Sequence, residues 1–126
     1  MGRTAPAFLL LSALLLFGCV AQQPAEGTLG IKVLINNGTG VMQSVVSVAN
    51  GSTALDAFQL AATLNVTRHP QYGAFVTGIN GLEQSASENK YWQYYADGVL
   101  APVGVEAYKL DHDVTLEFRY ETPQFG

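Results

Sequence analysis

Five consecutive residues, Tyr91-Trp92-Gln93-Tyr94-Tyr95, concentrate most of what this chain could offer a ligand. In an extended strand alternate side chains face opposite sides. Trp92 and Tyr94 therefore share one face, and Tyr91, Gln93 and Tyr95 share the other. In a small domain one of these faces is core, so the other shows a surface of aromatic rings and an amide. Such residues give a large, rigid contact area with a polar handle at little entropic cost. The surface suits a flat amphipathic ligand, a protein partner or stacked sugars. The rings could equally plug the core and cover the sheet, and for Trp92 both readings stay open.

The residue types that nucleophilic, phosphate or metal chemistry needs are scarce. The chain has one cysteine, Cys19, and two histidines, His69 and His112. It has no glycine-rich phosphate loop and no serine-nucleophile elbow. His69 precedes Pro70 in what reads as a loop. Asp111-His112-Asp113 sends successive side chains in different directions, whereas a metal needs several converging ligands. Neither an enzyme nor a metal centre is expected. With a single thiol there is no intrachain disulfide, so packing alone must hold the fold. From Cys19 onward, five basic residues (Lys32, Arg68, Lys90, Lys109, Arg119) face ten acidic ones, a net charge of 5 − 10 = −5. With no basic patch, nucleic acid is not an expected partner, nor is an electrostatic grip on anionic lipid.

These residues are positioned by elements that the pattern predicts in order. Ile31, Val33 and Ile35 alternate with Lys32 and Asn36, a half-buried strand. Asn36 to Gly40 is turn-rich, and Val41 to Val48 is β-branched, giving an opening hairpin. Thr53 with Asp56 three residues on fits a helix capping box. Leu55, Phe58 and Ala62, widened by Ala54, Ala61 and Leu64, form the helix's apolar stripe. Asn65 to Arg68 leaves the helix, and the residue before Pro70 avoids the α region. Ala74–Ile79 and Lys90–Ala96 read as strands, with Asn80-Gly81 opening a turn. Glu83 to Asn89 reads as an exposed polar loop. Asp97-Gly98 is a hairpin signal, with Val99 to Ala101 returning as a short partner. Val103 to Tyr108 reads as a turn, and Val114, Leu116, Phe118 and Tyr120 form the inner face of the last strand. The fold class is α+β and β-grasp-like: an opening β-hairpin, one packed helix, then three or four further strands.

Outside this domain, 31–122, the ends read differently. Residues 1–21 have the character of an export signal, with Arg3 ahead of an apolar run from Ala7 to Phe17. That run falls short of the ~20 residues that cross a bilayer. Leu16-Phe17-Gly18-Cys19 resembles the lipobox of prokaryotic lipoproteins, which makes Cys19 a lipidation candidate; an ordinary signal peptide is the alternative. Residues 22–30 read as a flexible tether. A cell-envelope, extracytoplasmic location follows, lipid-anchored or otherwise secreted, with membrane contact only through the lipid. Asn37, Asn50 and Asn65 head Asn-x-Ser/Thr sequons and are possible glycosylation sites on surface loops, or plain turn residues. The tail 123–126 either frays or packs Phe125 against a sheet edge.

Gly78-Ile79-Asn80-Gly81, then Tyr91-Trp92-Gln93-Tyr94-Tyr95, Asp97-Gly98 and the final strand to Tyr120 resemble, in order and spacing, a known family. This is the C-terminal β-domain of the transcobalamin and intrinsic-factor family, in its free-standing microbial surface form (DUF4430 type). The likeness extends upstream through Gly51-Ser52-Thr53-Ala54-Leu55 to about Ile31. The resemblance implies a β-grasp-like fold that covers one face of cobalamin. It also implies ligand-binding roles for Tyr72 and Gly73, where the family has a Trp-Gly pair, and for Trp92, Gln93 and Tyr94. The family's vertebrate carriers add a helical domain over the opposite face, for which this chain has no room. The expected function is an extracytoplasmic, lipid-anchored binding module, with cobalamin or another corrinoid as the ligand. A cell-surface interaction or scaffold domain that binds an envelope protein, keeping the fold without the ligand, is the second reading. A glycan-binding domain is the third.

Overall fold

The apolar alternation of the first strand sets the plane of the whole domain. In the computed structural model, which describes residues 27–123, β1 spans Thr28–Asn36. Ile31, Val33 and Ile35 point to the core. The strand starts three positions earlier than the alternation suggests, because Thr28 to Gly30 pair with Ala49 to Ser47. The expected tether 22–30 is therefore corrected: residues 28–30 are sheet, and residues 22–26 lie outside the described residues. So do the signal segment with Cys19 and the tail beyond Pro123.

β2 (Val41–Ala49) runs antiparallel to β1 in unbroken register. Asn37 closes the turn, its Oδ1 accepting from the backbone N–H groups of Thr39 and Gly40 and from the Thr39 hydroxyl. Then comes α1, Ala54–Ala61, opened by the expected capping box. The Asp56 N–H donates to the Thr53 hydroxyl at 3.2 Å, and the Thr53 N–H donates to the Asp56 carboxylate at 2.9 Å. This reciprocal pair satisfies two donors that the helix start would otherwise leave orphaned. Ala54, Leu55, Ala57 and Phe58 bury the inner face of α1. Ala62 is extended rather than helical, so the expected stripe through Ala62 and Leu64 is cut short.

The chain then forms a strand where only a loop was expected. β3 (Leu64–His69) pairs antiparallel with β4 (Gly73–Ile79). The Asn80-Gly81 turn, both residues at positive φ, leads into the two-residue β5, Leu82–Glu83. These three strands form a small sheet in the order β3-β4-β5. β6 (Tyr91–Ala96), β7 (Val99–Leu100) and β8 (Thr115–Glu121) join the opening hairpin in a five-stranded sheet, order β2-β1-β8-β6-β7. The first and last strands lie side by side and parallel, Val33 beside Leu116 and Ile35 beside Phe118. That is the β-grasp arrangement, and the architecture is α+β as expected. Six strands follow the helix rather than three or four, because β3 is weakly patterned and β5 is only two residues long.

One core fills the space between the large sheet, α1 and β4. Phe58, Phe118, Ile31, Ile79, Leu110, Leu116 and Val33 are fully buried. Phe58 meets Phe118 with ring centroids 4.3 Å apart and Tyr94 edge-on at 6.0 Å. Pairs of this kind add about 0.5–1.5 kcal/mol beyond the area they bury.

Candidate functional site

β6 behaves as its alternation demands. Trp92 and Tyr94 face the core at 5% and 8% exposure, while Tyr91, Gln93 and Tyr95 lie half-buried on the opposite face. Trp92 packs edge-on to Phe118, and its indole N–H donates to the Leu82 carbonyl at 2.9 Å. The Tyr94 hydroxyl donates to the Val103 carbonyl. Burial, reinforced by nearby Tyr108, pushes the Tyr94 phenol well above the ordinary tyrosine value. On the other face the Arg119 guanidinium lies 3.8 Å over the Tyr95 ring and pairs with Glu117 at 2.9 Å. The Tyr95 hydroxyl donates to Glu121. Tyr95 is thus engaged by its own sheet, which leaves Tyr91 and Gln93 as the available part of this surface.

An opening lies beside them. β7 pairs with β6 only at Tyr95 and Ala96, and β5 pairs with β4 only at Gly78 and Ile79. The start of β6 and the middle of β4 are consequently not bridged by a strand. Between them is a cleft of about 490 Å³ lined by Phe75, Asn89, Tyr91, Trp92, Gln93 and Pro123. A smaller recess of about 100 Å³ continues inward past Trp92 and Tyr94 to Gly104 and Val105. A third hollow of about 290 Å³ touches Trp92 from the other side, between the β1–β2 turn and Ile79 to Leu82. Trp92 is common to all three. A cleft of this size with rings, a carboxamide from Asn89 and another from Gln93 can take the edge of a flat amphipathic molecule.

The expected set of five site residues is therefore divided. Trp92 and Gln93 meet at the cleft. Tyr94 lines only the inner recess, because its side chain leaves the strand on the core side. Gly73 begins β4 two positions from Phe75, in the left-handed region at φ 77°. Tyr72, 73% exposed, stacks on His69 at 4.7 Å and is not part of the cleft wall. Trp92 and Gln93 leave β6 on opposite faces, as the alternation requires, and both still border the cleft at the open start of the strand, whereas Tyr94 does not. Phe75, Asn89 and Pro123 were missed. The signal for Phe75 was available: it is a large aromatic between Ala74 and Val76, on the face a half-buried strand normally keeps polar.

The other candidates fall elsewhere. Asn37 and Asn50 occupy exposed turns, but Asn65 sits on β3 with its amide donating to Glu83. His112 Nδ1 contacts the Asp111 carboxylate at 2.5 Å on an exposed turn. Among the described residues no group of three or more His, Cys, Asp or Glu side chains converges as a metal site would.

Residues 51–122 match a family described as a domain of unknown function, DUF4430. The chain belongs to the DUF4430 family. Its fold is shared with haptocorrin, solved in complex with Cbi, at a TM-score of 0.72 and 18% identity. That match covers 82% of this chain and only 27% of the haptocorrin chain. A protein from Ruminococcus gnavus ATCC 29149 with a proposed metal-binding role matches at a TM-score of 0.58 and 12% identity. It covers 76% of this chain and 99% of that one. Among curated protein sequences none matches. This DUF4430 domain thus has the transcobalamin-like fold that its Asn-Gly turn and aromatic strand suggested.

Proposed function

We propose that this protein is a non-catalytic binding module whose cleft between β4 and β6 takes the edge of a corrinoid or similarly flat amphipathic ligand. The observation that carries the reading is the 490 Å³ cleft with Phe75, Tyr91, Trp92 and Gln93 on its walls. Haptocorrin, which shares the fold, was solved with Cbi, and this supports testing corrinoids first. The reading also places the domain outside the cytoplasm, anchored through a lipid on Cys19 or secreted. The open cleft covers part of one ligand face, so affinity is expected to be modest without a second protein over the other face.

Isothermal titration of the full chain with cyanocobalamin and cobinamide tests it. Saturable binding is expected, weakened roughly five- to tenfold by Gln93→Ala or by Phe75→Ala, about 1 kcal/mol or more. Both side chains project away from the core, so neither change disturbs the fold. Absence of saturable binding at ligand concentrations near the solubility limit would remove the corrinoid reading.

A further inference from the structure

An unpaired strand edge is a row of free backbone donors and acceptors, and folded proteins usually disarm it with brevity, bulges, charge or proline. The two sheets here have four edges. β5 and β7 are two residues long. β3 carries a register break between Asn65 and Val66, and its outer end bears Arg68 and His69. β2 has none of these devices: it is nine residues long, in unbroken register, and reads Val-Met-Gln-Ser-Val-Val-Ser-Val-Ala. Its flanks are also uncharged, since no Asp, Glu, Lys, Arg or His occurs anywhere between Lys32 and Asp56. Val41, Met42 and Val45 are 58%, 51% and 68% exposed along it. Among the described residues nothing pairs with this edge.

We infer that β2 is a homodimer interface, in which a second copy adds its own β2 antiparallel to make one continuous ten-stranded sheet. Charge selects this occupant. The chain carries a net charge of −4, so two copies repel wherever carboxylates meet. The uncharged run from Val33 to Leu55 is where two identical surfaces approach without opposing like charges. A two-fold interface must also complement itself. Centring the axis on Val45, the midpoint of β2, pairs all nine residues. Val45 then faces its own copy, Gln43 faces Ser47, and Val41 faces Ala49, each a small or uncharged cross-strand neighbour.

Sedimentation equilibrium of the purified full chain, with the variants Val45→Lys, Gln43→Lys and Val99→Lys, tests this. The wild type is expected at twice the monomer mass. Val45→Lys places two ammonium groups opposite each other across the axis, and Gln43→Lys adds one on each side of it. Both should sediment as monomers with unchanged circular dichroism. Val99→Lys, an exposed apolar position on β7 at the opposite edge of the same sheet, should remain dimeric. A wild type that stays monomeric up to about 100 μM, well above the concentrations at which micromolar interfaces assemble, overturns the inference. So does a dimer that survives the lysines at positions 43 and 45.

Discussion

The Tyr94 phenol ties local chemistry to global stability. Its folded-state pKa is raised by burial, and that of Tyr95 is raised in the same direction by burial and by its bond to Glu121. Below the unfolded value of about 10 both states hold these protons, so they add no pH dependence. Above it the unfolded chain releases them while the folded chain keeps them, and stability falls as pH rises. Urea unfolding should show a nearly level midpoint up to about pH 9 and a decline by about pH 11. Tyr94→Phe should lose about 1 kcal/mol at neutral pH, from the missing bond to Val103, but decline less steeply in alkali. Two other residues bear on the site. Trp92→Ala should cost about 3–5 kcal/mol, because it empties a core position. It is therefore a poor probe of binding beside Gln93→Ala. Gly73 stands at φ 77°, and a β-carbon there would lie 3.2 Å from the Glu106 carboxylate that pairs with Arg68. Gly73→Ala should cost about 1–2 kcal/mol in thermal unfolding and displace the start of β4, with Phe75 on it.

The elements differ in what holds them. α1 is eight residues long, too short to be stable alone. Its capping box and the four side chains it buries keep it in place. Thr53→Ala should destabilise the domain by about 1 kcal/mol in chemical denaturation, whereas Thr53→Ser should be nearly neutral. β3 depends on its partner: its hydrogen bonds are made to β4, across a bulge, and its side chains are mostly exposed. Its amides should exchange faster with deuterium than those of β1 and β8, which lie within the large sheet with alternate residues buried.

For the whole molecule, the described domain presents two distinct surfaces, the cleft between β4 and β6 and the free edge of β2. They lie on different strands, so a dimer joined through β2 would carry two independent clefts. No described helix is long and apolar enough to cross a membrane. The proposed anchor, Cys19, lies outside the described residues. If Cys19 is lipidated, the exported wild type should partition into the detergent phase of a Triton X-114 separation and Cys19→Ser into the aqueous phase. Equal partitioning of the two would discard the anchor.

Local rules carried the reading where they acted alone. The alternation of Ile31, Val33 and Ile35, the Thr53–Asp56 cap, the Asp97-Gly98 turn and the strand ending in Tyr120 depend on neighbours within a few residues, so the sequence by itself determined them. The alternation in β6 also determined which of its rings share a face. It did not reveal which face was core. Pairing between distant segments decided the rest. β3 lacks a clean period and exists because β4 passes beside it. Thr28 to Gly30 join the sheet because Ser47 to Ala49 are there to meet them. The cleft has no local signature, since its walls come from Phe75, Tyr91 to Gln93 and Pro123, brought together only when two sheets of unequal length leave a gap. Side-chain direction is local geometry, whereas a cavity is set by the distances between strands that only the packed chain defines.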